Sequence, residues 1–276
     1  MFRDQKRKTG VFFGRYFMDI IASVLVCLFA GMGAGLGTGF AGMSAAAVIT
    51  PMLVTFLKMD AYAAVGIALA SDVLASAVSA YTYKKSNNLD IRNGIIMMLS
   101  VLCFTMIGSV VASFVPSRTM GNFSVIMTAF LGIRFIVKPV MTTKEAMANV
   151  SAKKRALQSL ISGCFVGFIC GFVGAGGGMM MLMILTSLLG YELKTAVGTS
   201  VFIMTFTALI GSLSHFALDG MPNMEILVLC VLFTFVFARI GAYIANKASP
   251  KTLNRVTGVI LLTLGIVIVT VNAIAG

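Results

Sequence analysis

The feature that most constrains this chain is the length of its apolar runs. Apolar stretches cover about 16–57, 61–83, 93–115 and 119–137, then 156–189, 195–217, 224–246 and 252–272. An α-helix needs about 20 such residues to cross the ~30 Å of hydrocarbon in a bilayer. Short polar connections between the runs leave no room for a separate soluble domain. With 59% hydrophobic and 11% charged residues, the composition is far from the ~25% charged residues of soluble domains. Disorder and a disulfide scaffold are excluded on the same ground. The expected fold is all-α: a polytopic integral membrane protein.

The net charge of +12 does not point to nucleic acid here, because Lys and Arg gather in the cytoplasmic loops of membrane proteins. The basic tail at 1–15 leads into a stretch that runs on as membrane sequence, so no cleaved signal peptide is expected. The five cysteines (Cys27, Cys103, Cys164, Cys170 and Cys230) lie in apolar segments without a CxxC pair, and the chain has one His. These are packing residues, and neither a metal site nor a cofactor is expected.

The chain repeats itself at an offset of 132 residues. Residues 31–66 and 163–198 share ten of 36 positions without a gap, including Gly39-Phe40/Gly171-Phe172, Gly42/Gly174 and the block Ala64-Val65-Gly66/Ala196-Val197-Gly198. This divides the chain into a basic tail (1–15), membrane repeat 1 (16–138), a polar linker (139–155) and membrane repeat 2 (156–276). The first segment of each repeat is too long for the bilayer: 42 and 34 residues make straight helices of roughly 63 and 51 Å. Each has a glycine-rich interruption, at Gly39-Phe40-Ala41-Gly42-Met43-Ser44 and at Gly174-Ala175-Gly176-Gly177-Gly178. The spacing predicts a long helix, an unwound turn and a short helix beginning near Ser44-Ala45 or Gly177-Gly178. If each interrupted segment crosses once, there are 8 spans. If each is a hairpin, there are 10 segments and the halves are inverted repeats. Either arrangement places 14 of the 21 Lys and Arg on one side, so the charge rule leaves both open.

Irregular backbone within a membrane is tolerated only where it is buried in protein or lines a polar cavity, and matched interruptions in two halves mark a transport site. The first N–H groups of a helix have no partner, and the helix dipole puts partial positive charge there. Two such ends meeting at mid-depth would bind an anion without a lysine. Gly42, Met43 and Ser44 in the first turn and Gly174, Ala175, Gly176, Gly177 and Gly178 in the second are therefore candidate substrate-binding residues. Thr199 and Ser200, which open the span after the second turn, could donate hydrogen bonds to an oxyanion. The ladders Gly31-Gly35-Gly39 and Gly163-Gly167-Gly171 read as close helix packing. No GxxxxGK[ST] is present, which removes direct ATP hydrolysis.

These words resemble the TauE/SafE sulfite-exporter family of membrane transporters: GFAGMSAA at 39–46, GFVGAGGGMMMLMIL at 171–185, AVG at 64–66 and AVGTS at 196–200. The first motif departs from the second, with Ser44-Ala45-Ala46 where the second has glycines and Ile67-Ala68 where it has Thr-Ser. The resemblance implies transport of sulfite, sulfonates or related organic anions across a cell membrane, a prokaryotic inner membrane.

Asp72 lies mid-span beside Ser71, Ser76 and Ser79, and an acid at that depth is a functional hypothesis by default. It is a candidate coupling or gating residue, holding a proton or facing sodium, or it pairs with a buried Arg such as Arg239. His215 is a second candidate for gating, or an interfacial residue ahead of Asp219. The expected function is secondary transport or facilitation of a small (organo)sulfur or carboxylate anion. The alternatives are a channel or accessory subunit and, with no HExxH or GxSxG, an intramembrane enzyme. The expected partners are the anion, the bilayer and a coupling proton or sodium ion, with no nucleic acid.

Overall fold

A computed structural model describes residues 2–112, 133, 136–139, 141, 143, 151–173 and 177–275. The described secondary structure is helical throughout: α1 (Phe2–Ala41), α2 (Ala46–Leu57), α3 (Ala61–Lys85), α4 (Ile91–Ala112), α5 (Ala152–Val173), α6 (Gly177–Ser187), α7 (Leu193–Asp219), α8 (Met224–Lys247) and α9 (Pro250–Ala275). Among the described residues, four stretches are long and apolar enough to cross a membrane: Ile20–Ala41, Tyr62–Lys85, Leu193–Ala217 and Met224–Lys247. Ala46–Leu57 and Ile91–Ile107 are shorter apolar helices. The span expected at 119–137 and most of the linker lie outside the described residues. The basic tail continues α1 as helix, and Lys153, Lys154 and Arg155 belong to the first turns of α5.

Local chemistry fixes several helix starts. Asp60 caps α3, its carboxylate accepting from Tyr62 N at 2.8 Å and Ala63 N at 3.3 Å. Asn223 caps α8 in the same way, accepting from Glu225 N and Ile226 N. Both satisfy N–H groups that a helix leaves open at its first turn.

Packing is set by small residues. Gly31, Gly35 and Gly39 on α1 step along Phe233, Thr234, Ala238 and Ala242 on α8, so these helices run side by side in the same direction. A Cβ on Gly35 would lie 2.5 Å from the Thr234 carbonyl oxygen, so the ladder serves close packing. Gly163 and Gly167 on α5 step in the same sense along Met97, Ser100 and Val101 on α4. Each long helix thus packs on the last described full-length helix, or its counterpart, of the other half.

At the centre α3 and α7 are antiparallel: Gly66 meets His215 and Phe216, Leu69 meets Gly211, and Tyr83 meets Gly198. One end of the bundle therefore gathers the end of α3, the starts of α4, α5 and α7, and the end of α8. It carries Lys84, Lys85, Arg92, Lys153, Lys154 and Lys247, all exposed, and is called the basic face below. α1 runs toward this face. α2 starts beside Asp72, halfway along α3, and ends three residues before α3 starts at the opposite face. The buried core lies where α1, α2, α3, α6 and α7 converge, around Met43, Ile49, Leu53, Ile67, Met181, Leu182 and Val201.

Candidate functional site

The first interruption is a four-residue turn, Gly42 to Ala45, between α1 and α2. Gly39, Phe40 and Ala41, read from sequence as part of it, remain helical. The buried Tyr83 hydroxyl donates to the Gly39 carbonyl at 2.8 Å, which gives that last-turn oxygen a partner. Gly42 turns the chain with φ +60°, a conformation open to glycine and strained for residues with a Cβ. A Cβ there would also run into Ser200 Oγ. Thr38 Oγ1 lies 2.9 Å from the Met43 carbonyl and ties the turn back to α1. Met43 itself points into the core.

Gly174, Ala175 and Gly176 lie outside the described residues. On either side of them α5 is described to Val173 and α6 from Gly177. Gly178, in its first turn, rests on the first interruption: a Cβ built on it would lie 2.6 Å from the Gly42 carbonyl oxygen and 3.0 Å from Ser44 N. The starts of α2 and α6 thus meet at backbone contact. Met204 on α7 closes the same spot from another side, its sulfur 2.7 Å from that Cβ position.

Asp72 is at this junction. It is 1% exposed and accepts from Ser76 Oγ at 3.0 Å. The Ser44 side chain and the Ala45 amide, both in the first turn, face the same carboxylate. The start of α2 therefore already faces a carboxylate supplied by the protein, where an anion is favoured by the helix dipole. Arg239, the sequence candidate for its ion-pair partner, is exposed on α8. Hydroxyl and amide donors from α2 and α3 take that role instead.

The remaining candidates separate. Ser200 is fully buried against Gly42, with its hydroxyl donating to Val197 O at 2.9 Å. Thr199 faces the basic end, where Thr199 Oγ1 accepts from Asp90 N at 3.2 Å. His215 is at the opposite face, stacked on Tyr62 with ring centroids 4.1 Å apart. It lines a cavity of about 230 Å³ with Tyr62, Gly66, Phe216 and Asn223. Asp72 and His215 are thus not neighbours.

Sequence reasoning missed a polar cluster at the basic face. Tyr191 donates to Asp90 Oδ2 at 2.8 Å, and Arg155 lies 4.0 Å from the same oxygen. Burial and the adjacent Asp90 carboxylate push the Tyr191 phenol well above its ordinary pKa, so it stays a donor. Asn88 Nδ2 donates to Asn246 Oδ1 at 2.6 Å, and Lys194 Nζ to the Asn246 carbonyl at 2.8 Å. The one signal in the sequence was the set of polar residues at the ends of apolar segments. Such residues read as interfacial until their partners are known.

The family described as Sulfite exporter TauE/SafE matches residues 27–268. The chain is 24% identical over 263 residues to "Probable membrane transporter protein YunE" of Bacillus subtilis, covering 88% of this chain and 96% of that one. It is 22% identical over 212 residues to "Probable membrane transporter protein YdhB" of the same species, covering 77% and 86%. It is 25% identical over 214 residues to "Probable membrane transporter protein MJ0441" of Methanocaldococcus jannaschii, covering 74% and 77%. No solved structure matches the chain.

Proposed function

The chain belongs to the sulfite exporter TauE/SafE family, and from that premise we propose that it carries a small sulfur-containing or carboxylate-bearing anion through a site at the two facing interruptions. Proteins of this family are membrane transporters and not enzymes. The transport here is secondary or facilitated.

One observation carries the reading: the start of α6 at Gly178 lies against Gly42 O and Ser44 N of the first turn. A helix start at mid-depth favours an anion through its dipole, and matched interruptions in paired halves are where transporters bind cargo. The helix bounds support two repeats, since α3 and α7 begin at positions 132 apart. The opposed directions of α3 and α7 support an inverted pair in which each interruption is a hairpin. The basic face is then cytoplasmic under the positive-inside rule, and the protein is a multi-pass protein of the cell membrane.

Asp72 supplies the coupling or gating step. Its carboxylate holds donors that an incoming anion would use, Ala45 N–H and the Ser44 hydroxyl. A proton or sodium ion on Asp72 releases those donors, which ties entry of cargo to entry of a cation. Ser200 borders the site, and Gly177 completes the α6 start.

The test is flux into proteoliposomes of sulfite, thiosulfate, a small sulfonate and a small carboxylate, with a thermal-shift screen of the same anions. A bound anion at 100 times its Kd stabilises the folded protein by about 2.7 kcal/mol. At least one should shift the protein and cross, and Gly177→Val should stop it without unfolding the chain. Flux unchanged by Gly177→Val, with folding intact, would remove the proposed site.

A further inference from the structure

The two ends of the bundle correspond under the 132-residue offset, yet they are built differently. The connection after α3 (86–90) falls under the offset on 218–222, which spans the last residues of α7 and the link from Gly220 toward α8. At the basic face that connection is locked. Asn88 is 4% exposed and bonds to Asn246 on α8. Asp90 bonds through its N–H to Thr199 and through its carboxylate to Tyr191. All three bonds join the first half to the second. Gly198 on α7 lies so close to the loop that a Cβ there would fall on the Asn88 carbonyl oxygen.

At the opposite face the residues at the positions of Asn88 and Asp90 are of another kind. Gly220 stands where Asn88 does; it is exposed, and a Cβ on it meets nothing within 4 Å. Pro222 stands where Asp90 does, without a carboxylate or an N–H. Gly66, the counterpart of Gly198, is met by side-chain atoms of Phe216 and His215 at 3.0–3.5 Å rather than by loop backbone. The cavity of about 230 Å³ opens here. Its Gly66 wall is six residues before Asp72 on α3, roughly 9 Å along the helix.

We propose that the two ends are opposed gates of one carrier, with the basic face latched by the Asn88–Asn246 and Asp90–Tyr191 bonds and the Tyr62/His215 cavity serving as the vestibule through which a small anion reaches the turns. The inference rests on the transport reading above. The cavity holds several waters, at ~30 Å³ each, which is room for a hydrated ion of a few heavy atoms. The Asn223 amide and the His215 ring are polar groups in its wall. The stacked Tyr62 and His215, one from each half, form its inner door. Opening the latch closes the vestibule, because both gates are worked by the same antiparallel pair, α3 and α7.

The test uses two corresponding reporters, Ala63→Cys at the vestibule and Thr195→Cys behind the latch. They are placed in full-length protein whose five native cysteines are replaced by alanine. In detergent, where both faces are reachable, Ala63→Cys should react with a charged thiol reagent about tenfold faster or more, for a latch-open state populated at no more than ~10%. Tyr191→Phe and Asn246→Ala should each raise the Thr195→Cys rate by about fivefold, the equivalent of one hydrogen bond, and lower the Ala63→Cys rate. Equal rates, or latch variants that raise both, overturn the gates. Hydrogen exchange on the unsubstituted protein repeats the test: the amides of Asn88 and Asp90 should be protected and that of Met221 should exchange quickly, and parity is again against it. Reciprocal labelling without flux of any anion leaves the gates standing and removes the cargo reading. Flux without reciprocity does the reverse.

Discussion

Gly178→Ala is the sharpest probe of the junction between the two interruptions. The added Cβ would sit 2.6 Å from the Gly42 carbonyl oxygen, 3.0 Å from Ser44 N and 2.7 Å from the Met204 sulfur. Met204 can swing its flexible end aside. Gly42 cannot retreat easily, since Ser200 Oγ packs behind it. Restoring ordinary contact at 3.4 Å requires the turns to part by roughly 0.8 Å. Overpacking of this kind costs about 1–3 kcal/mol, which lowers the unfolding midpoint by roughly 2–10 °C in a chain of this size. The chain has no Trp, so the assay is a thiol-reactive dye that reports exposure of the buried Cys27 and Cys230. Gly211→Ala is the control. Its Cβ meets only Leu69 Cδ1 at 3.1 Å, the end of a flexible side chain, and alanine favours a helix by up to ~1 kcal/mol over glycine. A Gly178→Ala midpoint equal to that of wild type or of Gly211→Ala would refute backbone contact between the turns.

Tyr83→Phe should cost about 1 kcal/mol by leaving the Gly39 carbonyl without its buried donor, read by the same dye. Asp72→Asn keeps an acceptor for Ser76, whereas Asp72→Ala leaves the buried Ser76 hydroxyl without it, at about 1–3 kcal/mol; the alanine variant should therefore melt below the asparagine one. In proteoliposomes, Asp72→Asn should still pass the anion down its gradient but lose any response to an imposed pH or sodium gradient, and an unchanged response would exclude Asp72 as the coupling group. Gly35→Ala puts a Cβ 2.5 Å from the Thr234 carbonyl oxygen; α1 and α8 must separate, and the midpoint should fall further than for Gly211→Ala.

Helical membrane architecture was legible because hydropathy and run length report it directly. The turn at Gly42 is shorter than the sequence suggested, because the Gly39 oxygen finds a donor in Tyr83, 44 residues away. The same limit hid the partners of Asp72. A mid-span acid invites a search for arginine, but Ser44 and the Ala45 amide reach it only once α2 folds back beside α3. The Asp90–Tyr191 and Asn88–Asn246 bonds join residues 101 and 158 positions apart, and no local pattern encodes such a pairing. Thr199 and Ser200 are adjacent in sequence yet serve opposite sites, because successive residues on a helix are about 100° apart.

The seam between α1 and α8 carries a consequence for biogenesis. The glycine edge of the first helix finds its counterpart almost 200 codons later, so during translation it must wait against lipid. The α4/α5 seam, whose strands of message are near neighbours, can form first. A nascent chain arrested ahead of Met224 should hold the α4/α5 seam and lack the α1/α8 one.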